Sequence, residues 1–348
     1  MEIMRKRTKK IIPAESLSKL GEFGLIKLLK DKLAPHNAEV LKGIGDDAAI
    51  LRPKGGTDWV LTTDMLVEGR HFDLKSTTPW ELGAKTIAVN ISDCAAMGAK
   101  PKIAVISIGI PKDFPPAAVQ SFYDGLKGWA GNFGVDIVGG DTVGAGELVV
   151  NVALLGEVEK GRALTRSGAK LGDAILVTGT LGDSAAGLHS LRHPGSKGAE
   201  VRPLLEKRHK TPVPRMISGR FLVESRLATS CIDISDGLSS EIHHLAEESG
   251  LGAEVHSEGL PISRSMGYYA EEMGLDPLEL ALHGGEDYEL LFTVPLPNLG
   301  EVLRTMPGQT GVPVKSIGRM TAKATGVTLI GAKGVRKPLK AKGYDHFK

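Results

Sequence analysis

The stretch Gly43–Phe72 constrains this chain most, because it sets acidic residues directly against apolar, strand-like runs. Two such runs, Ala48–Leu51 and Trp59–Leu61, follow one another within it. The polar residues beside them are Asp46, Asp47, Thr62, Thr63 and Asp64. Aspartate is a poor strand former, so acids in these positions need a stabilising partner. A divalent cation would supply it through oxygen ligands, and ordinary turn and capping aspartates explain the pattern equally well.

Acids recur in a similar context through both halves of the chain. Four more lie beside glycine or at the end of an apolar segment, namely Asp93, Asp141, Asp233 and Asp236. If the acids converge in a partly buried site, they need bound cations or additional protons, whereas separate caps and turns need neither. No His or Cys ligands accompany them, which favours magnesium over zinc. Magnesium held by carboxylates, waters and substrate phosphates is typical of phosphoryl transfer.

Length and composition narrow the class of protein. A chain of 348 residues favours two domains, because a single hydrophobic core rarely grows that large. The net charge of +2 gives no reason to expect nucleic acid or a membrane as partner, and no apolar run is long enough to span a bilayer. The basic lead at residues 5–10 lacks the apolar stretch of a signal peptide, and a disordered tail or a loose RNA or membrane contact would each explain it. Two distant cysteines, Cys94 and Cys231, fit a reducing cytoplasm.

Helix and strand signals alternate and predict an α/β protein. Thr78-Pro79 is a helix start signal, and Asn90 and Asp93 share one face of the helix that follows. A strand is predicted to end at the glycines before Asp141, and residues 195–210 are predicted to form a polar, mobile loop. The other predicted helices cover 22–33, 115–133, 183–191, 214–227, 238–248, 266–273 and 277–282, and the other strands 103–110, 148–158, 174–177, 231–234 and 288–294.

The phosphate-binding signals are weaker than the acidic ones. No Walker A pattern occurs, but the turns Gly139–Thr142 and Gly179–Gly182 could each present amide N–H groups to an anion or simply connect elements. Asp183, after the second turn, is predicted to be a helix N-cap. Nucleotide phosphates or exposed linker charge would each explain the basic cluster Arg162, Arg166 and Lys170. His71 is either a substrate contact or a surface histidine.

A short sequence pattern recurs in the two halves of the chain. Asn90-Ile91-Ser92-Asp93 and Asp233-Ile234-Ser235-Asp236 share a pattern, and groups of this kind on two α/β halves would suit a site at their interface.

The order of these motifs resembles the thiamine-monophosphate kinase family, within the wider aminoimidazole-ribonucleotide-synthetase-like superfamily. The resemblance runs from about Gly21 to the C-terminus and leaves the basic tail outside. It is carried by GEF, GIGDDAA, TTDMLVEGRHF, NISDCAAMGA, GGDT, GRALTRSGAKLGD, VTGTLGDSAAGL, IDISDG, GGEDYELLFTV and GYDHF, in that order. Because so many motifs match in the same order, the resemblance is specific.

The resemblance implies a two-domain α/β (α+β) fold. An N-terminal mixed sheet with helices would pair with a second copy into a barrel-like dimer core, and a C-terminal α/β domain would have its sheet covered by helices. The expected division is a flexible tail at 1–15, an ATP- and magnesium-binding dimerisation domain at 16–160, and a domain completing the site at 161–348. The expected localisation of the protein is cytoplasmic.

The resemblance also implies an activity and its residues. The activity is ATP-dependent phosphorylation of thiamine phosphate to thiamine diphosphate with several Mg²⁺ ions, in a homodimer. The implied magnesium ligands are Asp47, Thr62, Thr63, Asp64, Asp93, Asp141, Asp233 and Asp236. The implied ATP contacts are Gly140, Asp141, Arg166 and Ser235, and the substrate contacts are His71, Glu286 and Phe347. Whether Asp46 binds metal or only shapes its turn stays open.

Because the acceptor phosphate is already ionised at neutral pH, no strong general base is needed, and direct in-line transfer without a phosphoenzyme is predicted. The alternatives are a sibling enzyme that closes a purine-precursor ring and a nucleotide- and metal-binding scaffold without turnover. A selenophosphate synthetase would carry a reactive cysteine near its N-terminus, and no cysteine precedes Cys94.

Overall fold

The computed structural model describes residues 24, 26, 38–53, 55–195 and 197–344. From residue 38 onward these belong to one compact unit, Pro35–Tyr344, and the second unit consists of Met1–Ala34 with Asp345–Lys348. The tail predicted at 1–15 therefore lies outside the described residues. Of the helix predicted at 22–33, Gly24 and Ile26 are described, and both are helical.

The first half of the compact unit forms a six-stranded mixed sheet. Its strands are β1 Val40–Lys42, β2 Ala49–Leu51, β3 Thr57–Val67, β4 Lys100–Pro111, β5 Asp136–Ala145 and β6 Val149–Glu159. The spatial order is β1-β2-β3-β6-β4-β5, and all neighbours are antiparallel except β4 and β5. The predicted strands are confirmed, but two are longer than predicted, because β3 continues through Asp64 and β5 continues past Asp141.

Two helices cover one face of this sheet. Helix α1 is Pro79–Ala96 and helix α2 is Pro116–Asn132. The predicted start of α1 is confirmed by a capping box in which Thr78 and Glu81 satisfy each other's backbone N–H groups. The helices pack backbone to backbone, since a Cβ on Gly83 would lie 1.9 Å from the carbonyl oxygen of Phe122.

The second half forms a seven-stranded mixed sheet. Its strands are β7 Ala174–Thr178, β8 Ser230–Asp233, β9 Gly252–His256, β10 Leu290–Val294, β11 Val314–Thr321, β12 Val327–Ile330 and β13 Arg336–Pro338. They lie in the order β13-β12-β9-β11-β7-β10-β8, and β9 and β12 are the parallel pair. Strands β7, β8 and β10 are buried along their whole length, as expected for a sheet covered on both faces.

The second half of the compact unit also forms helices. They are α3 Asp183–Arg192, α4 Arg202–Lys210, α5 Met216–Ser225, α6 Leu238–Ser249, α7 Arg264–Met273, α8 Pro277–His283 and α9 Leu299–Thr310. The side chains of β7 alternate between two cores. Leu176 belongs to the core that also holds Ile87 and Ile91 of α1, while Ile175 and Val177 belong to a core formed within the second half. The shared core explains why both sheets belong to one compact unit.

The predicted α/β class is confirmed, and two local predictions are wrong. The segment predicted as a polar loop at 195–210 contains helix α4, whose Leu205 and His209 are buried. The N-cap of α3 is Gly182 rather than Asp183, which is the first helical residue and accepts hydrogen bonds from Thr180 and Ser263. Within the described stretches, no helix combines the length and the apolar character needed to cross a membrane.

Candidate active site

The first part of the site forms where β3 meets α1. Successive side chains of a strand point to opposite faces, so Thr62 and Asp64 share the face that α1 covers. The hydroxyl of Thr62 donates to Asp93 Oδ2 on α1 and lies 3.3 Å from the carbonyl oxygen of Asp47. Asp64 N donates to Asn90 Oδ1 at 3.1 Å. The face of α1 that Asn90 and Asp93 are predicted to share therefore lies against β3, the strand that carries Thr62 and Asp64.

The second half contributes Asp233, the last residue of β8. Its Oδ2 accepts a hydrogen bond of 2.5 Å from Ser92 Oγ. The two motifs that share a sequence pattern, one in each half of the chain, are therefore in direct contact. Oxygens of Asp47, Asp93 and Asp233 lie within 4.8 Å of one another. We call Asp47, Asp64, Asp93 and Asp233 the acidic cluster, and both halves of the chain supply its members.

Arg166 supplies positive charge to the cluster. Its Nε and Nη2 lie 3.0 and 2.6 Å from Asp47 Oδ1. The peptide group between Thr165 and Arg166 is held by two hydrogen bonds. Arg166 N donates to Asp46 Oδ1 at 3.1 Å, and Thr165 O accepts from Cys231 N at 2.9 Å. Burial opposes the charge of Arg166, but the neighbouring Asp47 holds its pKa above the usual value. Arg166 thus acts as an internal counter-ion.

One arginine does not offset the charge of the cluster. Burial raises the pKa of Asp47 to about 7 despite Arg166. Burial likewise raises the pKa of Asp64 to about 6, with Asp47 adding to the effect, and that of Asp233 to about 6. The pKa of Asp93 is raised well above its usual value by burial and by Asp64. Carboxylates in this state take up protons or bind cations.

The donor atoms fit a hard divalent cation. The acidic cluster and Thr62 offer carboxylate and hydroxyl oxygens, the ligands that Mg²⁺ prefers. Asp47 Oδ2 is buried and has no hydrogen-bond partner among the described residues, so an acceptor is left for a ligand that the protein does not supply.

Three predicted site residues lie elsewhere. The Thr63 side chain is on the exposed face of β3, where its hydroxyl donates to Val152 O at 2.8 Å. Gly140 and Asp141 lie in exposed β5, and Asp141 Oδ1 accepts from Thr142 N at 2.9 Å. The structure does not bring these three into the acidic cluster, and their roles stay predictions.

Asp46 holds its turn together. Its Oδ1 accepts from the backbone N–H of Asp47 and of Arg166, and its Oδ2 lies 3.0 Å from Lys42 Nζ. These contacts favour the turn-shaping role over the ligand role that the sequence left open.

The loop after β8 adds further charge. Ser235 O accepts from Glu286 N at 2.6 Å, and Asp236 N donates at 2.9 Å to Glu241 Oε1. Glu241 is a buried carboxylate that the sequence interpretation missed, and burial together with Asp236 raises its pKa well above the usual value. Asp236 in turn raises the pKa of Asp233 after burial and Asp64, so its charge lies close to the cluster.

The turn Gly179–Gly182 presents its amides to the chain itself. The N–H groups of Gly182 and Ser184 donate to the two oxygens of Asp287, at 2.7 and 3.2 Å. An ideal Cβ on Gly179 would lie 2.0 Å from Glu289 Oε1. The structure therefore supports the connecting-turn interpretation over the anion-binding one. The guanidinium groups of the basic cluster have separate partners, since Arg162 Nη2 donates to Val223 O at 2.6 Å and Arg166 contacts Asp47.

A second group of polar residues joins two predicted substrate contacts. Glu286 Oε1 lies 2.8 Å from Lys85 Nζ, and Lys85 Nζ donates to His71 O at 3.2 Å. His209 Nδ1 lies 3.0 Å from Glu286 Oε2. Lys85 and His209 were missed from the sequence. Lys85 could have been found, because it lies on the same face of α1 as Asp93, eight residues later. Phe347 lies outside the described residues.

Known proteins resemble this chain over most of its length. The family models "AIR synthase related protein, N-terminal domain" and "C-terminal domain" match residues 45–158 and 170–330. The thiamine-monophosphate kinase of Escherichia coli (strain K12) is 43% identical over 331 residues, which cover 94% of this chain and 98% of the relative. The chain belongs to the thiamine-monophosphate kinase family. The kinase of Bacillus subtilis (strain 168) is 37% identical, with 94% and 100% coverage.

Solved structures share this fold as well. A structure of AaThiL complexed with AMPPCP and TMP superposes with a TM-score of 0.83 at 38% identity, covering 96% of this chain and all of that one. A structure of the hydrogenase maturation protein HypE in complex with ATP, at 20% identity and a TM-score of 0.67, shares the fold.

Proposed function

We propose that this protein phosphorylates thiamine phosphate to thiamine diphosphate, with ATP as the phosphoryl donor and Mg²⁺ as the cofactor. The observation that carries the proposal is the meeting of Asp47, Asp93 and Asp233 from both halves in a chain of this kinase family. The AaThiL complex, which shares the fold, contains AMPPCP, an analogue of ATP, together with TMP. Both substrates carry negatively charged phosphate groups. A site with an excess of buried carboxylates therefore needs a cation before it can bind them.

The acidic cluster and Thr62 would hold Mg²⁺, with Asp141 and Asp236 as further proposed ligands and Thr63 as the least supported one. When bound, Mg²⁺ would neutralise phosphate charge as the γ-phosphoryl group moves. Arg166, freed from Asp47, together with Gly140 and Ser235 would contact ATP, and Glu286, His71 and Phe347 would contact thiamine phosphate. Since the acceptor phosphate is already ionised, these residues need to position and orient it rather than remove a proton.

The proposal is tested by initial rates of ADP formation with purified protein, Mg²⁺, ATP and thiamine phosphate. We expect ADP only when thiamine phosphate is present, intersecting double-reciprocal plots, and no ³²P on the protein after incubation with γ-labelled ATP alone. Labelled protein would contradict direct transfer. ATP hydrolysis that does not depend on thiamine phosphate, or no turnover from folded protein, would favour a sibling activity or a scaffold instead.

The acidic cluster predicts how pH controls metal-free stability. In the unfolded chain these aspartates lose their protons near pH 4, whereas in the folded chain Asp47 retains its proton to about pH 7 and Asp64 and Asp233 to about pH 6. Their contribution to stability is therefore full below pH 4 and is lost as the pH rises from 4 through 7. Mg²⁺ binds the ionised carboxylates, so we expect millimolar Mg²⁺ to raise Tm clearly at pH 8 and little at pH 5.

Thermal scans in EDTA and in Mg²⁺ at both pH values measure this effect. Asp136→Asn, an exposed change at the start of β5, serves as the control and should behave like the wild type. Equal Mg²⁺ shifts at pH 5 and pH 8 would contradict the assignment of the cluster as the metal site.

We also propose that two copies pair through the uncovered face of the first sheet. On β3, Trp59, Leu61 and Met65 point away from the helices and are 39%, 42% and 53% exposed. Ile103, Val105, Val138 and Val143 on β4 and β5 are likewise exposed. A sheet face that exposes several large apolar side chains is typical of an interface.

Met65→Glu should shift the protein from dimer to monomer, because it would place two charges in the paired face. Sedimentation velocity at micromolar concentration measures the change. Leu171→Glu, at a residue that is 67% exposed in the connecting segment, should leave the dimer intact. A monomeric wild type, or a dimeric Met65→Glu, would overturn this proposal.

The domain boundary near residue 160 and the cytoplasmic localisation stay proposals. The boundary is supported by the two sheets, which end and begin at Glu159 and Ala174, and by family models that match each side of it. The localisation is supported by the two free, buried cysteines.

A further inference from the structure

Lys85 is a buried charge in the middle of helix α1. Its side chain is 1% exposed, and its ammonium group reaches Glu286 Oε1 at 2.8 Å and His71 O at 3.2 Å. A buried lysine is strongly unfavourable unless it is paired. The surrounding positions of α1 are filled by small and apolar residues, so packing alone gives no reason for a lysine.

The partner carboxylate is fixed from several directions. His209 Nδ1 of α4 lies 3.0 Å from Glu286 Oε2, so each carboxylate oxygen has its own partner. The backbone of Glu286 is in the left-handed region, with φ 63°, and its N–H donates to Ser235 O at 2.6 Å. A non-glycine residue in this region is unfavourable and persists where its surroundings hold it. The Glu286 side chain nevertheless stays 23% exposed.

We infer that Lys85 is a positioning residue for the acceptor substrate, which holds the carboxylate of Glu286 and the segment of His71 in one arrangement. The inference rests on the proposed function, in which both of those residues contact thiamine phosphate. Lys85 lies eight residues before Asp93 on one helix, a rise of about 12 Å. The same rigid helix therefore sets the separation between the acidic cluster and the residues proposed to hold the acceptor.

The charges around Glu286 support this role. Burial would raise the pKa of Glu286, but Lys85 and then His209 outweigh burial and hold that pKa well below the usual range. Burial and Lys85 lower the pKa of His209, which disfavours its charged form. The Tyr288 hydroxyl is also kept neutral, because burial and Glu286 raise its pKa. Lys85 is thus the cation that keeps Glu286 ionised.

Replacing Lys85 would therefore change substrate binding and its pH dependence together. In Lys85→Met we expect KM for thiamine phosphate to rise on the order of 10- to 100-fold, while KM for ATP stays within about twofold. We also expect a new acidic limb in kcat/KM for thiamine phosphate, because Glu286 would take up a proton at a higher pH. The double variant Lys85→Met/Glu286→Gln should lack this limb.

Three further measurements separate positioning from a general structural effect. Lys85→Arg keeps the charge and should recover most of the affinity for thiamine phosphate. Lys127→Met, an exposed lysine on α2, should match the wild type in both KM values. If Lys85→Met does not fold, Lys85→Gln is measured in its place, and titration calorimetry with thiamine phosphate alone gives its affinity without turnover.

The inference is overturned if folded Lys85→Met, or Lys85→Gln measured in its place, keeps the wild-type KM for thiamine phosphate and the wild-type pH profile. It is also overturned if both KM values rise equally. Neither result touches the proposed function, provided that wild-type protein makes thiamine diphosphate in the same assay. No product from the wild type would instead refute the proposed function.

Discussion

Asp93→Asn should lower kcat/KM by about 10³-fold, because it removes a charge from the centre of the acidic cluster without changing the shape of the side chain. Asp93 lies within 4.8 Å of ligand oxygens from Asp47 and Asp233 and accepts a hydrogen bond from Thr62. An asparagine keeps the acceptor oxygen for Thr62, so the contact between β3 and α1 survives. The loss should therefore be one of cation binding and not of folding.

The same substitution should stabilise the protein when no metal is present. Burial and the neighbouring aspartates make the charged form of Asp93 unfavourable, so a neutral residue relieves repulsion. We expect Tm in EDTA at pH 8 to rise, while the stabilisation by Mg²⁺ shrinks. Steady-state kinetics and thermal scans check both parts, with Asp136→Asn as the control. Wild-type activity, or a lower Tm in EDTA, would contradict the role assigned to Asp93.

Arg215→Met should lower the free energy of unfolding by about 3–5 kcal/mol, since it leaves a buried carboxylate without its partner. Arg215 Nε lies 2.5 Å from Glu289 Oε2, and Arg215 Nη2 bonds Glu289 Oε1. Thr178 Oγ1 adds a third hydrogen bond at 2.7 Å. The pair ties the start of α5 to the GGEDYE segment, which also carries Glu286.

An exposed ion pair gives the matched control for this change. Lys102 Nζ lies 2.8 Å from Glu157 Oε1, but their side chains are 49% and 37% exposed, so Lys102→Met should cost less than about 1 kcal/mol. Urea unfolding followed by circular dichroism compares the two variants. Equal urea midpoints for Arg215→Met and Lys102→Met would contradict the prediction, because the buried ion pair of Arg215 would then add no more to stability than the exposed ion pair of Lys102.

Local signals in the sequence were sufficient for much of the fold. Thr78-Pro79 and the apolar run Trp59–Leu61 act through neighbouring residues, so the start of α1 and the centre of β3 follow from the sequence alone. Helix α4 was missed because its nine residues are mostly charged. Its helical state depends on burying Leu205 and His209 against the rest of the molecule, which is a tertiary effect that composition conceals.

The site was predictable where residue type and context coincide. The aspartates beside glycine and apolar runs could be named in advance, and the structure brings Asp47, Asp64, Asp93 and Asp233 together. Partners that depend on long-range packing could not be predicted. The amide N–H of Gly182, at the end of the Gly179–Gly182 turn, donates to Asp287, more than a hundred residues later in the chain. Lys85 pairs with Glu286 across an even longer separation.

We propose that acids from both halves of the chain form one cation site, at which the protein transfers a phosphoryl group from ATP to thiamine phosphate. A ³¹P NMR time course on purified protein with Mg²⁺ tests it most directly. We predict that thiamine diphosphate and ADP appear in equal amounts, that EDTA stops both, and that Asp93→Asn yields neither at a comparable rate. AMP or free phosphate as the product, or equal turnover in EDTA, would contradict the claim.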